Sequence, residues 1–377
     1  MTEIPKNKSW LANLALVLFG IGFAALAILA AFALFPQLQP NTIEFQVKMG
    51  DIFFHHPEWV TPPDNPDEVL SRHWLAWDDD GFRVPARQAD DYAILALGDS
   101  YTEASNVARP WPDVLAEAGD TTVRNLGFRG YGPVEQAVIL DLYGAESDAD
   151  TVIIGYFEGN DLGDAATADP DSIVLPSQTG EFEITPTDLS KIDERDERYP
   201  VEIEIKDERS EIAFLEFYLW QLNATKVNYR QSLNVERLVE SWDTMRAVKP
   251  DACFILAYFP NKPHIYVPHV VPQDQPILTQ KLMEQVAQPG EFLQQVDNDT
   301  DFPRLLNRLD NQRDVIAEKA DEADLIFFDL TPVLAEAAAS GELVYYVYDT
   351  HWNQNGHDVV GRALADFLAE DPCASQS

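Results

Sequence analysis

The order of apolar runs and helix-like stretches after residue 91 leaves few folds open. The apolar runs have strand length, and continuous apolar strands are typical of parallel sheets that are covered on both faces. Their alternation with helices predicts a doubly wound α/β fold: a mostly parallel five-stranded sheet in a flavodoxin-like three-layer sandwich with right-handed crossovers. The predicted strands cover 94–97, 122–126, 152–157, 253–259 and 325–330, and the predicted helices cover 104–118, 133–146, 231–248, 302–322 and 354–369.

Two long segments interrupt this alternation. Residues 161 to about 212 are acidic and poorly periodic, and residues 260 to about 300 are rich in Pro and Gln. Loops of this length are commonly functional lids or binding surfaces, or are disordered. We expect one domain over residues 91–371 that carries both insertions. A linker over residues 36–90 precedes it, and its predicted anchors on the domain are Phe53, Phe54, Trp59, Trp74 and Trp77.

The N-terminal part of the chain contains a long uncharged run over residues 10–35. As a helix that rises about 1.5 Å per residue, this run spans roughly 35 to 40 Å, which exceeds the hydrocarbon core of a bilayer. Lys6 and Lys8 precede it, which favours a cytoplasmic N-terminus over residues 1–9. We therefore predict a single transmembrane anchor, with a cleaved signal peptide as the alternative. Either interpretation places the rest of the chain outside the cytoplasm, in a periplasmic or extracellular position.

The net charge is strongly negative, −38 from 64 acidic and 26 basic residues. A field of that sign repels nucleic acid and anionic lipid headgroups, so we expect no nucleic-acid partner. A solvated acidic surface is the interpretation that we favour, and an acidic binding face is the alternative. No Cys/His spacing indicates a zinc site, and we expect no metal and no cofactor.

The chain has only two cysteines. Cys253 lies in the apolar run CFILAYF, and Cys373 lies in a polar C-terminal tail. We expect no disulfide between a buried strand and a frayed tail, although an extracytoplasmic compartment would permit one.

Polar and glycine-rich motifs follow three of the predicted strands, and a fourth motif lies near the C-terminus. In ILALGDSYT, a tight turn places Ser100 after the first strand. N-x-G-x-x-G over 125–130 follows the second, G-N-D over 159–161 follows the third, and the fourth motif is D-T-H-W-N over 349–353. Each motif alone is also typical of an ordinary turn or helix cap. Because the carboxyl ends of parallel strands meet at one edge of the sheet, we expect the motifs to form one site.

Together the motifs supply the groups that acyl transfer needs. Ser100 is a candidate nucleophile, but an alcohol is weak until a base removes its proton. His351 is the candidate base, and Asp349 can orient the imidazole and stabilise its charged form. The tetrahedral intermediate also needs donors for its oxyanion. The backbone N–H groups of Ser100 and Gly130 and the side-chain amide of Asn160 are the candidates.

The four motifs resemble, in order, the four blocks of the SGNH hydrolases, also called the GDSL esterase/lipase superfamily. The resemblance covers about residues 94 to 369 and leaves the insertions unmatched. It implies that Ser100 is the nucleophile, that Gly130 and Asn160 are oxyanion-hole donors, and that Asp349 and His351 complete a catalytic triad. It also implies hydrolysis of ester bonds on an SGNH-type sandwich.

The chain departs from the family pattern at two places. Tyr101 follows the serine, and the last block is D-x-H instead of the usual D-x-x-H. The shorter spacing is similar to that of the SGNH-like polysaccharide O-acetyltransferases of the alginate type, in which, however, this block precedes the serine. Transferase chemistry therefore stays open. His357 is a second candidate base, with a structural role in the last helix as the alternative.

These observations lead to one main hypothesis and two alternatives. The main hypothesis is a membrane-anchored, extracytoplasmic serine esterase that removes O-acyl groups, in particular O-acetyl groups, from a carbohydrate or cell-envelope glycan through an acyl-enzyme on Ser100. The alternatives are a polysaccharide O-acetyltransferase with the same triad, supplied by a membrane acyl-donor partner, and a non-catalytic glycan-binding or assembly module. Candidate substrate-binding residues, for which packing or solvation is the equal alternative, are Glu158, Arg129, Tyr131, Lys262, His264 and Trp352.

Overall fold

The centre of the fold is a five-stranded sheet in which all neighbouring strands are parallel. From one edge to the other its strands are Val123–Asn125, Ile94–Leu97, Thr151–Phe157, Cys253–Phe259 and Ile326–Asp329. The computed structural model describes residues 77–168, 170, 173–176, 198–286, 300–347 and 349–375. The predicted parallel five-stranded sheet is confirmed. Its strands are β1 (Ile94–Leu97), β2 (Val123–Asn125), β3 (Thr151–Phe157), β6 (Cys253–Phe259) and β7 (Ile326–Asp329).

Helices cover the sheet because each parallel connection must cross over it. The strand order reverses between β1 and β3, so right-handed crossovers place helices on both faces. Two helix pairs pack against each other: Trp111–Ala118 with Gln354–Ala369, and Pro133–Tyr143 with Leu233–Val248. The longer helices of the described chain are α2 (Trp111–Ala118), α3 (Pro133–Tyr143), α7 (Leu233–Val248), α9 (Gln275–Val286), α11 (Asn311–Glu322), α12 (Thr331–Ala339) and α13 (Gln354–Ala369).

Shorter helices fill the connections. They are α1 (Ser100–Glu103), α4 (Asp161–Thr167), α5 (Glu216–Gln221), α6 (Lys226–Arg230), α8 (Lys262–Tyr266) and α10 (Phe302–Arg308). Two predicted helices differ from the structure. The helix predicted over 302–322 is divided into α10 and α11, and the helix predicted from residue 104 starts only at Trp111.

The late start of α2 has a local cause. Ala104 has φ +50 and ends α1, and Pro110, which is extended, directly precedes α2. The loop between them is held by the buried guanidinium of Arg83, which donates to the carbonyls of Val107 at 2.9 Å and Ala108 at 2.7 Å. Within the predicted linker, Phe82 and Arg83 thus pack on the domain.

The first insertion contains an antiparallel hairpin that the sequence analysis did not predict: β4 (Arg198–Ile205) and β5 (Glu208–Leu215). Lys206 and Asp207 join the two strands with φ of +52 and +64, as a two-residue type I′ turn requires. A bridge between Ile203 and Val270 connects the hairpin to the second insertion. The two insertions therefore pack together.

A disulfide joins Cys253 and Cys373, whose Cα atoms are 5.7 Å apart. The prediction that these residues do not form a bridge is wrong. Cys253 is the first residue of β6 and only partly buried. The tail is not frayed, because a short 3₁₀ turn over Pro372–Ser375 packs against the end of α13 and brings Cys373 to the amino end of the strand.

Among the helices of the described ranges, none has both the length and the apolar character needed to cross a bilayer. The predicted anchor over residues 10–35 lies outside the residues that the structure describes.

Candidate active site

The turn after β1 presents Ser100 at the carboxyl edge of the sheet. Gly98 has φ +154, and a Cβ on it would lie 2.1 Å from Thr102 Oγ1, so only glycine fits this turn. Asp99 precedes the short helix α1 and accepts a hydrogen bond from the N–H of Tyr101 at 2.9 Å. Ser100 is the first residue of α1 and remains partly exposed.

The loop before α13 brings His351 and Asp349 to Ser100. The Nε2 atom of His351 lies 2.8 Å from the Oγ atom of Ser100, and its Nδ1 atom lies 2.5 Å from Asp349 Oδ1. The buried Asp349 carboxylate can only accept, which favours the Nδ1–H tautomer of His351, and in that tautomer Nε2 accepts from the serine hydroxyl. The structure thus brings together the three residues predicted as a triad.

Buried groups hold this loop in place. The ammonium of Lys262, at the start of α8, donates to the carbonyls of Val347 at 2.9 Å and Asp349 at 2.7 Å, and more weakly to that of Tyr346 at 3.2 Å. The Tyr101 hydroxyl donates to the carbonyl of Thr350, next to His351. The backbone N–H of His351 also donates to Asp349 Oδ1 at 2.8 Å. The short D-x-H spacing is therefore compatible with a bridged Ser–His–Asp arrangement.

The predicted oxyanion donors follow three neighbouring strands. Neither Ser100 N–H nor Gly130 N–H has an acceptor among the described residues, so both remain available to a ligand. Gly130 is exposed with φ +77, and no atom lies within 4 Å of the position of a Cβ, so its backbone is open to an incoming group. Asn160 precedes α4 after β3. Ser100 and Asn160 thus lie at the point where the strand order reverses, which is where ligands bind in this class of sheet.

A buried ion pair connects the loop of Gly130 to the helix of Ser100. Glu103 in α1 is fully buried and pairs with the Arg129 guanidinium, and it also accepts from the backbone N–H of Arg129 at 2.7 Å. The Arg129 guanidinium lies 5.4 Å from the ring centroid of Trp77. Trp77 is the one predicted linker anchor within the described residues. Arg129 therefore positions Gly130, while about a fifth of its side chain remains exposed.

Three carboxylates lie close to Ser100 and Asn160, and we call Asp99, Asp161 and Asp164 the acidic cluster. Burial raises the pKa of Asp99 to about 7 and the pKa of Asp164 to about 6. Burial and the Asp99 carboxylate raise the pKa of Asp161 well above its usual value. Asp161 accepts from the N–H of Phe157 at 2.8 Å, and Asp164 accepts from the side-chain amide of Asn160 at 2.6 Å.

Most predicted substrate-binding residues are buried, which excludes direct contact with an outside ligand in this arrangement. Glu158 is fully buried between Tyr258 and His264, and Lys262 is used by the Asp349 loop. Trp352 is enclosed by aromatic rings, and the Tyr131 hydroxyl donates to the carbonyl of Val174. For Glu158, His264, Lys262 and Trp352 the prediction of substrate contact is therefore corrected to a supporting role.

His357 lies in the core within α13, away from solvent. Its Nδ1 accepts from the N–H of Trp111 at 3.3 Å, and burial lowers its pKa well below the usual value. A buried neutral imidazole that caps α2 has a structural role, in line with the alternative stated for this residue.

Sequence reasoning missed Glu103, Asp164 and Tyr218. The spacing of Asn160 and Asp164, one helical turn apart, was a usable signal. The sequence gives no such signal for the pairing of Glu103 with Arg129, because this pairing depends on how two separate segments fold. Tyr218 follows the first insertion, and its ring contacts Phe157 edge-on at 5.4 Å between centroids. Burial first, and then the carboxylates of Asp99 and Asp164, raise the pKa of Tyr218 far above its usual value.

Comparison with known proteins decides the family. The model of the GDSL-like lipase/acylhydrolase family matches residues 96–359, which is most of the chain and includes all four motifs. The chain belongs to this family. It is thus a GDSL-like acylhydrolase, an enzyme class that cleaves ester bonds, and the predicted resemblance is confirmed. The curated proteins contain no match to it.

A comparison with solved structures finds a phospholipase, a lipase and an esterase that are similar to this chain at low identity. Phospholipase A1 from Streptomyces albidoflavus NA297 is 12% identical over 74% of this chain and 99% of its own, with a TM-score of 0.40. An extracellular lipase from Streptomyces rimosus is 14% identical over 73% and 98%, with a TM-score of 0.40. The aryl esterase of M. smegmatis is 16% identical over 74% and 98%, with a TM-score of 0.36.

Proposed function

We propose that this GDSL-like acylhydrolase is a serine esterase that forms an acyl-enzyme on Ser100. The observation that carries the proposal is the hydrogen-bonded series from Ser100 Oγ through both nitrogens of His351 to Asp349. It lies beside two backbone N–H groups, those of Ser100 and Gly130, that no described acceptor uses.

The geometry supports a two-step reaction. In the first step Ser100 Oγ attacks the ester carbonyl while His351 Nε2 takes its proton, and Asp349 stabilises the imidazolium that forms. The oxyanion accepts hydrogen bonds from Ser100 N–H, Gly130 N–H and Asn160 Nδ2. The carbon–oxygen bond then breaks and the imidazolium returns its proton to the leaving alcohol. In the second step water, deprotonated by His351, releases the acid and restores Ser100.

We further propose that the enzyme works outside the cytoplasm and removes O-acyl, in particular O-acetyl, groups from carbohydrate of the cell envelope. The uncharged run over residues 10–35 supports a membrane anchor. The Cys253–Cys373 disulfide supports an oxidising compartment, because such bonds persist mainly outside the cytosol. Envelope glycans are the acylated substrates within reach of a domain tethered there.

Replacement of the nucleophile tests the mechanism. Ser100→Ala should lower kcat on a chromogenic acetyl ester by about 10⁴-fold or more, because the remaining groups have no nucleophile to activate. Ser340→Ala, at the exposed end of α12, is the matched control and should retain wild-type activity. A fluorophosphonate probe should label the wild-type protein and the control but not Ser100→Ala. Wild-type activity of Ser100→Ala would refute the mechanism, and an unlabelled wild-type protein would favour a non-catalytic binding module.

The D-x-H spacing favours one second candidate, an O-acetyltransferase that uses the same acyl-enzyme. In that case a sugar hydroxyl, instead of water, takes the acyl group from Ser100. A single-turnover experiment with the acetylated enzyme and increasing glycan separates the two: transfer to glycan supports the transferase, and exclusive release of acetate supports the esterase.

A further inference from the structure

The side-chain amide of Asn160 is fixed on one side only. Its Nδ2 donates to Asp164 Oδ2 at 2.6 Å. Its Oδ1 is buried and has no donor among the described residues. An ionised carboxylate can only accept hydrogen bonds. The Asp164 carboxylate therefore holds the amide with Nδ2 toward it, since a reversed amide would bring two acceptors together.

Helix geometry and packing keep Asp164 where it is. Asn160 is the N-cap of α4, and the N–H of Asp164 donates to the Asn160 carbonyl at 2.8 Å, so the two side chains lie on the same face one turn apart. On its other side, Asp164 packs against Gly132, where an added Cβ would come within 2.6 Å of the Asp164 Cβ. This contact ties Asp164 to the loop that also carries Gly130.

The orientation of this amide matters for the proposed reaction. Nδ2 carries two hydrogens, and the bond to Asp164 uses one of them. The second is the donor that the oxyanion of the tetrahedral intermediate would use. If the amide were reversed, Oδ1 would face the oxyanion and repel it. Among the described residues no donor holds Oδ1, so the bond to Asp164 is the one that selects the productive orientation.

We infer that Asp164 is a positioning residue of the oxyanion hole, which acts by orienting the Asn160 amide through the Asp164 Oδ2 to Asn160 Nδ2 hydrogen bond. The inference rests on the proposed function, because it assigns a task to Asn160 in that mechanism. It adds a supporting side chain to one of the three predicted donors without placing that side chain in contact with the substrate.

A double-mutant cycle tests the inference. Asn160→Ala should lower kcat on an acetyl ester by about 10²- to 10³-fold, as expected for one oxyanion donor. Asp164→Ala should lower kcat by roughly 10- to 100-fold, with little change in KM, because the donor is misoriented while substrate still binds. In the Asn160→Ala background, Asp164→Ala should change kcat by less than about twofold, because no amide is left to orient.

Two further variants distinguish positioning from a general structural role. Asp164→Asn keeps the shape and one acceptor oxygen but can also donate, so its kcat should lie between those of Asp164→Ala and the wild type. Asp243→Ala, an exposed aspartate in α7, is the matched control and should leave kcat unchanged. If Asp164→Ala does not fold, the same cycle is run with Asp164→Asn.

Two results would overturn the inference: a wild-type kcat for Asp164→Ala, or an equal loss of kcat in the presence and absence of the Asn160 side chain. Fluorophosphonate labelling keeps this failure separate from failure of the proposed function. Labelled Ser100 together with an uncoupled Asp164 removes only the positioning role. A wild-type protein that is not labelled removes the acyl-enzyme mechanism itself.

Discussion

Two groups of charged side chains lie on either side of the segment that follows β3, and they differ in how the charge of their buried carboxylates is balanced. Toward β6, Glu158 contacts His264, which also contacts Asp310; we call these three residues the histidine network. Toward β1, Asp161 belongs to the acidic cluster. Only three positions separate Glu158 from Asp161 in the chain, so one short segment serves both groups.

In the histidine network every charge has a partner. The Glu158 carboxylate accepts from the Tyr258 hydroxyl at 2.6 Å, from the Asn261 N–H at 2.8 Å and from His264 Nδ1 at 2.9 Å. Burial opposes a charge on His264, but the Glu158 carboxylate and hydrogen bonds to Asp310 and Glu158 raise its pKa to about 9. An imidazolium with a carboxylate at each nitrogen stabilises the junction of β3, β6 and α8.

In the acidic cluster, by contrast, Asp99 and Asp161 are buried without an ion pair to any described lysine or arginine. Backbone N–H groups partly compensate, but Asp161 Oδ1 has no hydrogen-bond partner among the described residues. Such a cluster opposes folding when it is ionised, and it lies next to the nucleophile and Asn160. The comparison teaches that the balanced group stabilises the junction at α8, from which Lys262 holds the loop of the base, whereas the unbalanced group lies next to the nucleophile and Asn160.

Loss of the imidazolium should have the largest effect on stability. His264→Gln leaves Glu158 buried without its cation, and breaking a buried charge pair costs about 3–5 kcal/mol of unfolding free energy. Because the pKa of His264 is raised to about 9, its contribution is complete below its unfolded pKa near 6.5 and is lost as the pH rises through about 9. Urea unfolding of the variant and wild type should therefore differ most at about pH 6 and least at about pH 10.

His269→Gln is the matched control for this prediction. His269 follows α8 in a 3₁₀ turn, and burial lowers its pKa, so it contributes no buried cation at neutral pH. Its replacement should leave the midpoint of unfolding nearly unchanged. Equal stability of His264→Gln and the wild type at about pH 6 would show that the histidine network is not charge-balanced as described.

Neutralising the acidic cluster should have a smaller effect of opposite sign. Asp161→Asn keeps an oxygen for the Phe157 N–H and removes one buried charge, so we expect a gain of about 1 to 3 kcal/mol near neutral pH. The raised pKa of Asp161 means that the folded wild type binds a proton that the unfolded chain has lost, so wild-type stability falls as the pH rises above about 4. The gain should therefore be larger at about pH 8 than at about pH 5.

Thermal unfolding at the two pH values checks this prediction, with Asp141→Asn on the exposed face of α3 as the control. The control removes the same charge from a solvated position and should not stabilise the protein. A destabilised Asp161→Asn at about pH 8 would mean that the carboxylate is paired, and the contrast between the two groups would fail.

Much of the fold could be predicted because local apolar patterns decide it. The runs at 94–97 and 253–259 became strands with those bounds, since parallel strands are buried on both faces and leave continuous apolar sequence. The hairpin β4–β5 was missed although Val201 to Ile205 alternates apolar and charged residues, which is the pattern of a half-buried strand. Its turn residues Lys206 and Asp207 carry no glycine signal.

The predicted triad residues lie together because the turn after β1 and the loop before α13 meet at the carboxyl edge of the sheet, but the supporting residues could not be assigned from the sequence. A sequence shows that a charged residue follows a strand, but it does not show which distant residue that side chain will contact. Glu158 meets His264 more than a hundred positions away, and Lys262 meets the carbonyl of Asp349 after a similar gap. The bridge between Cys253 and Cys373 has the same cause, since only the course of α13 brings the tail to β6.

The smallest expected effect concerns the outer carboxylate of the histidine network. Asp310 lies 3.2 Å from His264 Nε2, but more than half of its side chain is exposed, and it also pairs with Arg313. Water screens such a pair, so Asp310→Asn should cost at most about 1 kcal/mol at neutral pH, and the amide oxygen can still accept from Nε2. His264 should remain charged at neutral pH, because Glu158 is unchanged.

NMR titration of His264 in the Asp310→Asn protein measures this directly. The hydrogen bond from His264 and the charge of Arg313 lower the pKa of Asp310, so its contribution is present above its unfolded pKa and is lost only as the pH falls below that value. Near neutral pH the variant should thus keep a His264 pKa above the usual histidine value. If Asp310→Asn lost as much stability as His264→Gln, the exposed Asp310 carboxylate, and not the buried Glu158, would be the main partner of the imidazolium. Burial would then no longer explain why the histidine network and the acidic cluster differ.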